Sequence, residues 1–233
     1  MILDPNKWLS DGGILHSSGS TGAPKELFQT PEKIRAANIA AIDSQEITSS
    51  SKIYTVCKTA HAGGLLAQTL PAYSIGADIV IEDFNAYRFV KEVYKYTHTH
   101  VTPAHARAIM MTKGFKDLDL TGIWVTCGSD HVTWDIIESF VDRGATFMSN
   151  WGMTEIGPCA INTVFRNMDQ VKIYKTTSVA GASIMGDRFY CQHYLAGKQL
   201  LVKGDICIYD DWFSTGDHVT MSKTGELYYH GRI

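Results

Sequence analysis

The chain has 233 residues, of which 45% are hydrophobic and 19% charged, and its formal net charge is −3. This composition is typical of a globular protein with enough apolar side chains to form a sizeable core. The small net charge, without long runs of one sign, does not favour nucleic-acid binding. No apolar run approaches the roughly 18 residues that a membrane-spanning helix needs, so we expect no membrane association.

The N-terminal residues and the cysteines bear on the cellular compartment. Residues 1–10 include Asp4 and Lys7 and contain no apolar signal core. The five cysteines are scattered and form no CxxC pair. This pattern is typical of buried free thiols in a reducing compartment and not of a structural zinc site. We therefore expect a cytoplasmic protein.

The first two thirds of the chain alternate short apolar segments with helical patterns. Segments rich in β-branched and aromatic residues predict strands at 52–57, 78–82, 100–102, 123–126 and 146–149. Thr30 followed by Pro31 is a helix start signal, and further helices are predicted at 64–74, 86–96, 103–112 and 133–143. Alternating strands and helices predict an α/β fold with a mostly parallel sheet flanked by helices.

The last third has a different pattern. Short strands are predicted at 189–191, 199–203, 205–209, 217–221 and 226–230, separated by turn signals and without a long helix between them. We expect a small antiparallel β subdomain here. The change lies near 164–171, so we predict an α/β subdomain at 1–165 and a β-rich subdomain at 166–233.

The most informative segment is 16–25, in which hydroxyl side chains and glycines precede a lysine. Both flanks look extended, so the segment is predicted to form the tip of a hairpin. Its hydroxyl and backbone N–H groups could converge on one anion, with the lysine adding a positive charge. It is not a Walker P-loop, because Pro24 precedes the lysine and Glu26 follows it. A flexible, solvated Ser/Gly linker is the alternative interpretation. The candidate anion-binding residues are Ser17, Ser18, Gly19, Ser20, Thr21, Gly22 and Lys25.

Two further segments have suitable chemistry for a nucleotide. The segment 150–155 combines an indole, which suits a purine, with the Glu155 carboxylate, which suits Mg²⁺. Its alternative reading is a core Trp151 followed by a helix cap at Thr154. The segment 211–217 ends in Thr-Gly-Asp, and the carboxylate of Asp217 could accept hydrogen bonds from a diol. The alternative there is a turn between strands.

Together these segments resemble the signatures of the adenylate-forming superfamily, which includes acyl-CoA synthetases, firefly luciferase and the adenylation domains of peptide synthetases. The family patterns are T-S-G-[ST]-T-G-x-P-K, [YW]-G-x-T-E and W-x-x-T-G-D. Ser17 replaces the first Thr, and Glu26 stands where a Gly is usual. The resemblance spans 13–232 and is greatest to short o-succinylbenzoate–CoA ligases. It implies the shortened large N-terminal domain of such an enzyme.

The resemblance also implies roles for individual residues. Trp151 would stack on adenine, Thr154 would bond a phosphate oxygen, and Glu155 would ligate Mg²⁺. Asp217 would contact the ribose, and Arg232 would reach the ribose or the α-phosphate. His61 would gate the acyl pocket, although a capping or surface position suits it equally. The implied catalytic residues are Lys25, His61, Thr154 and Glu155. The remaining implied nucleotide contacts are Gly128, Ser129, Asn150, Gly152 and Met153.

The implied reaction joins a small-molecule carboxylate to Mg·ATP and yields acyl-AMP and pyrophosphate, with CoA as a candidate acceptor. Relatives carry a C-terminal lid domain whose lysine stabilises the transition state, and no residue here matches that lysine. We therefore expect slow or absent adenylation by this chain alone, and a separate lid domain or a homo-oligomer as candidate partners.

Two other functions remain open from the sequence. The chain could be a non-catalytic module that binds ATP, AMP or an acyl-adenylate. It could also be a metal-dependent hydrolase that uses His98, His100 and His105. No carboxylate cluster accompanies these histidines, and their spacing has no standard template.

Overall fold

The computed structural model describes residues 3–17 and 25–233. The described chain begins with a short helix, α1 (Pro5–Asp11), which leads into an antiparallel hairpin of β1 (Gly13–Ser17) and β2 (Lys25–Gln29). The strands pair from Gly13 with Gln29 to Ser17 with Lys25, as the sequence predicts for the flanks of the tip. The tip itself, 18–24, lies outside the described residues.

A seven-stranded sheet forms the centre of the molecule, in the order β10-β8-β7-β6-β5-β3-β4. The five strands from β4 to β7 are parallel, and β8 and β10 are antiparallel to their neighbours. The strands are β3 (Lys52–Thr55), β4 (Asp78–Ile81), β5 (His98–Val101), β6 (Trp124–Gly128), β7 (Thr146–Met153), β8 (Gly157–Phe165) and β10 (Arg188–Phe189).

Helices cover both faces of this sheet. Successive side chains of a strand point to opposite faces, so both faces carry apolar side chains that pack against helices. On β3, for example, Tyr54 packs in the largest apolar cluster whereas its neighbour Ile53 packs in another. The helices are α2 (Pro31–Gln45), α3 (Ala62–Gly64), α4 (Leu70–Ser74), α5 (Ala86–Glu92), α6 (Pro103–Met110), α7 (Trp134–Val141) and α8 (Met168–Thr176). A π-helical segment, Leu65–Thr69, joins α3 to α4.

The second sheet is antiparallel and five-stranded, in the order β11-β12-β13-β14-β9. Its apolar face packs on β8, where Leu200, Val202 and Leu227 share a cluster with Ile156 and Ile161. The sheet therefore closes one side of the α/β part. Its strands are β9 (Ser183–Gly186), β11 (Gln192–Ala196), β12 (Gln199–Lys203), β13 (Phe213–Met221) and β14 (Leu227–Arg232).

The α/β fold with a mostly parallel sheet is confirmed, and several details of the prediction are wrong. Residues 205–209 form turns and bends, held by the Ile208 N–H, which donates to Glu155 O at 2.9 Å. The sequence reading missed the strands β8, β9 and β11 and the helices α1 and α8. All strands of the second sheet lie within 166–233. The strand β10 also lies in this range, but it belongs to the seven-stranded sheet, where it pairs with β8. The division into two subdomains at 165/166 stays a prediction.

Two further expectations from the sequence concern membrane-spanning helices and the cysteines. Within residues 3–17 and 25–233, no helix has the length and apolar character that crossing a bilayer requires. The described cysteines are free, as predicted: four are buried, and Cys191 is half-buried.

The buried histidine of β5 gives the fold a testable dependence on pH. His100 is 1% exposed, and its Nδ1 donates to Gly63 O at 3.0 Å. Burial lowers the pKa of His100 from 6.5 to about 4. Between these values the unfolded chain binds a proton that the folded chain does not, so stability falls as the pH falls through this window. We expect His100 alone to reduce the free energy of unfolding by about 2 kcal/mol between pH 7 and pH 5.

Urea denaturation at the two pH values checks this expectation in the wild type and in His100→Asn. The asparagine amide can still donate to Gly63 O but does not titrate. The variant should therefore lose less stability between pH 7 and pH 5 than the wild type does. An equal loss in both proteins would show that His100 is not responsible.

Candidate active site

A cleft of about 860 Å³ lies beside the carboxyl ends of the parallel strands, where ligands bind in open α/β sheets. The β1–β2 hairpin, the turn between β7 and β8, and the ends of β13 and β14 complete its walls. Of the predicted site residues, Ser17, Lys25, His61, Ser129, Asn150, Gly152, Met153, Thr154, Glu155 and Arg232 line the cleft. Gly128, Trp151 and Asp217 lie behind the lining, and Ser18, Gly19, Ser20, Thr21 and Gly22 lie outside the described residues.

The hairpin brings both flanks of the hydroxyl-rich loop to the cleft. Ser17 ends β1 and pairs with Lys25, which begins β2, and both residues line the cleft. Glu26, which departs from the family pattern, pairs across the hairpin with His16, whose Nε2 lies 3.4 Å from its Oε1. A carboxylate at position 26 therefore has a partner on the neighbouring strand.

The turn between β7 and β8 presents Thr154 and Glu155. The Gln29 side-chain amide donates to Thr154 O at 3.0 Å, and the Ile208 N–H donates to Glu155 O. Backbone groups thus hold the turn, while the half-buried Glu155 side chain is left to face the cleft. The alternative of a helix cap at Thr154 is wrong, because Thr154, Glu155 and Ile156 form the turn of a hairpin.

Gly152 is required by the geometry of this hairpin. A Cβ added at Gly152 would lie 2.2 Å from Gly157 O, a distance that carbon and oxygen atoms do not tolerate. The glycine of this motif thus permits the close approach of β8 to β7. It keeps Thr154 and Glu155 at the edge of the cleft.

Trp151, Asp217 and Arg232 form a connected group, of which Arg232 lines the cleft. The Trp151 Nε1–H donates to Asp217 Oδ2 at 2.9 Å, and Arg232 Nε lies 3.1 Å from Asp217 Oδ1. The Asp217 residue is only 2% exposed, whereas the Arg232 side chain is 53% exposed. Burial raises the pKa of Asp217, and the Arg232 guanidinium and the indole N–H oppose this rise.

Gly128 is the last residue of β6 and pairs with Asn150 on the neighbouring strand β7. A Cβ at Gly128 would lie 2.4 Å from both the backbone O and the Oδ1 of Asn150, so no larger residue fits. The following residue, Ser129, has a φ of 79°, which non-glycine residues rarely adopt. The Asn150 side chain donates to Pro158 O at 2.6 Å. The Gly128 position is therefore fixed by close packing, and Ser129 is turned onto the cleft surface.

His61 lies at the inner mouth of the cleft. It occupies the N-cap position of α3, is exposed, and makes no side-chain capping bond. Its side chain therefore does not cap the helix. Two interpretations of His61 remain, a gate of the acyl pocket and an ordinary surface residue. Sequence reasoning missed several lining residues nearby, although the rule that ligands bind at the carboxyl ends of parallel strands points to the segments after β3 and β5. These residues are Cys57, Lys58, Thr102 and His105.

The three histidines proposed for a hydrolase are held apart by other partners. His98 Nε2 donates to Gln45 O at 3.0 Å, and its Nδ1 lies 2.8 Å from Thr97 Oγ1. His100 donates to Gly63 O, and His105 stacks on Phe84. Among the described residues, no three His, Cys, Asp or Glu side chains gather in a way that could hold a metal ion. The geometry gives the hydrolase hypothesis no support.

Two curated enzymes are similar to this chain in sequence. The indoleacetate–CoA ligase of Aromatoleum aromaticum is 27% identical over 243 residues, which cover 94% of this chain and 47% of that enzyme. The feruloyl-CoA synthase of an Amycolatopsis species is 22% identical and covers 93% of this chain and 48% of its own length. The chain spans about half the length of these curated relatives.

Solved structures show the same fold. The inhibitor-bound N-terminal domain of FACL13 from Mycobacterium tuberculosis matches with a TM-score of 0.77 at 19% identity, covering 95% of this chain and 62% of that chain. The o-succinylbenzoate–CoA synthetase of Bacillus subtilis in complex with AMP matches with a TM-score of 0.75 at 16% identity, covering 96% and 50%. These similarities show that the chain shares the fold of these structures.

A profile of the family described as "AMP-binding enzyme" matches residues 13–232, which is nearly the whole chain. The match contains all three segments that converge on the cleft. The chain therefore belongs to the family of AMP-binding enzymes, and the relatives that it matches are acyl-CoA ligases.

Proposed function

We propose that this chain is the core of an acyl-CoA ligase and that, together with a lid domain, it carries out the adenylation half-reaction. A carboxylate oxygen attacks the α-phosphorus of ATP, the bond to the bridging oxygen breaks, and pyrophosphate leaves with acyl-AMP as the product. The supporting observation is that one cleft gathers the hairpin bearing Lys25, the turn bearing Thr154 and Glu155, and the end of β14 bearing Arg232, which pairs with Asp217 of β13.

The phosphate end of ATP would lie between the hairpin and the β7–β8 turn. Ser17 and Lys25 would contact the β- and γ-phosphates together with the loop 18–24, and Thr154 would orient the α-phosphate. Mg²⁺ would neutralise phosphate charge. Glu155 suits it, because its carboxylate faces the cleft and accepts no hydrogen bond from the residues that the structure describes. Catalysis would rest on positioning and charge neutralisation.

The nucleoside end would lie against Trp151, Asp217, Gly128 and Ser129. Asp217 is covered by Arg232 in this conformation, so a ribose would contact it after Arg232 moves. Such a movement would break the contacts of Arg232 with Asp217 and with Thr215 O, and the ribose hydroxyls would replace the guanidinium as donors to Asp217. Asn150, Gly152 and Met153 would form the adjoining wall.

The acyl group would enter beside His61, and CoA is the candidate acceptor of the activated acid. The curated relatives are about twice as long, so a lid domain, whether part of a longer chain or a separate partner, would complete the reaction. We expect slow or absent adenylation without it, since losing one transition-state charge contact costs about a hundredfold or more in rate. A cytoplasmic location is consistent with this proposal.

ATP–pyrophosphate exchange across a panel of carboxylates tests the proposal. Exchange with at least one acid, above a no-acid control, supports an adenylating enzyme. Tight nucleotide binding without exchange, also after addition of a lid domain from a relative, would favour the non-catalytic binding module instead.

A further inference from the structure

Lys58 is a cation of the cleft that the proposed adenylation chemistry does not use. It is exposed and lines the cleft, and within residues 3–17 and 25–233 its side chain forms no ion pair. The other lining cations have roles: Arg232 pairs with Asp217, and Lys25 belongs to the phosphate-binding hairpin. The charge of Lys58 is therefore available to a ligand.

The sheet order places Lys58 far from the Glu155 turn. Lys58 follows the end of β3 by three residues, whereas Glu155 follows β7. The strands β5 and β6 lie between β3 and β7, so three strand spacings separate the two ends. At about 4.8 Å each, this is roughly 14 Å across the sheet. Lys58 thus lies towards the end of the cleft opposite the proposed magnesium ligand.

The surroundings of Lys58 are polar. Cys57, Thr102 and His105 line the cleft at the ends of β3 and β5. Burial lowers the pKa of His105, so its ring is neutral near pH 7, and it stacks on Phe84 with ring centroids 3.8 Å apart. A long hydrocarbon chain would cover the Lys58 ammonium group without giving it a partner, which is unfavourable. A short ligand with oxygen atoms would supply such a partner.

We propose that the acyl substrate is a short acid with a second carboxylate, and that this second carboxylate pairs with Lys58 Nζ. The inference rests on the proposed function, because it assigns the first carboxylate to adenylation. Lys58 is then a specificity-determining residue: it contacts the end of the acyl group that does not react. Its ammonium group would favour a doubly acidic substrate over one with an uncharged end.

The test compares two stable mimics of the acyl-adenylate, a succinyl sulfamoyl-adenosine and its methyl ester, which differ by one negative charge. Calorimetry should show that the wild type binds the free acid about tenfold more tightly than the ester. In Lys58→Met this preference should fall to about onefold, with the affinity for ATP unchanged. Lys116→Met is the matched control, since Lys116 is exposed and does not line the cleft, and it should retain the full preference.

Three results would overturn the assignment while leaving the proposed function intact: equal wild-type affinity for acid and ester, a preference retained in Lys58→Met, or an ATP affinity that falls as far as that for the succinyl mimic. The last result would assign Lys58 to the phosphates. If the folded wild type binds neither ATP nor either mimic, the proposed function itself fails, and the Lys58 proposal fails with it.

Discussion

With a lid domain from a relative added, Glu155→Gln is expected to lower the rate of ATP–pyrophosphate exchange by about a hundredfold and to remove the magnesium dependence of ATP binding. The substitution keeps the size of the side chain but removes the negative charge that would hold the metal. The fold should survive, because Gln29 and Ile208 hold this turn through the backbone oxygens of Thr154 and Glu155. Exchange assays and calorimetry with and without Mg²⁺ give the two readouts.

Asp117→Asn is the matched control for this experiment. Asp117 is exposed and does not line the cleft, so the same loss of charge there should leave exchange and metal dependence unchanged. Wild-type exchange and magnesium dependence in Glu155→Gln would remove Glu155 from the proposed metal site. Thermal denaturation of both variants separates a binding defect from unfolding.

Asp217→Asn has the second large expected effect. Its two carboxylate oxygens face the Trp151 indole N–H and the Arg232 guanidinium, both of which are donors. Asparagine has one acceptor oxygen, so its NH₂ group must face one of these donors. We expect a loss of about 1–3 kcal/mol in the free energy of unfolding and a loss of about tenfold or more in AMP affinity.

Two variants separate the ribose role from the structural role of Asp217. Trp151→Phe removes the indole donor, so it tests the contribution of this hydrogen bond to stability without touching the carboxylate. If Asp217→Asn lowers stability but binds AMP as tightly as the wild type, Asp217 is a structural residue and does not contact the ribose.

The sequence predicts much of the α/β part because its signals are local. The start of α2 is one example, since Thr30 accepts from the Lys33 N–H at 3.3 Å and Pro31 fits the first helical position. The strand β3 is another, with a short buried apolar segment bounded by polar residues. Both features depend on neighbouring residues alone.

The parts that the sequence reading missed depend on distant contacts. The residues of β8 are buried, and Asn162 and Thr163 among them disguise the strand pattern. The partners of their side chains come from the fold, as when Thr163 Oγ1 donates to Asp187 Oδ1 at 3.1 Å. Residues 205–209 look like a strand, but the hydrogen bond from Ile208 to Glu155 holds them as a turn.

The candidate site divides in the same way. The motifs identify Lys25, Glu155 and Asp217 by residue type and order along the chain. The proposed role of Lys58 rests on the sheet topology instead, which brings the end of β3 to the same edge as the end of β7. The covering of Asp217 by Arg232 is likewise a tertiary contact that no local pattern contains.

Isothermal titration calorimetry with Mg·ATP, AMP and an acyl sulfamoyl-adenosine tests most directly whether one cleft binds a nucleotide through three distant segments. The account predicts binding of all three ligands with one molecule per chain, and tightest binding of the sulfamoyl compound, which spans the nucleotide and acyl parts together. A protein that is folded by circular dichroism yet gives no binding heat with any of the three at several temperatures would contradict it.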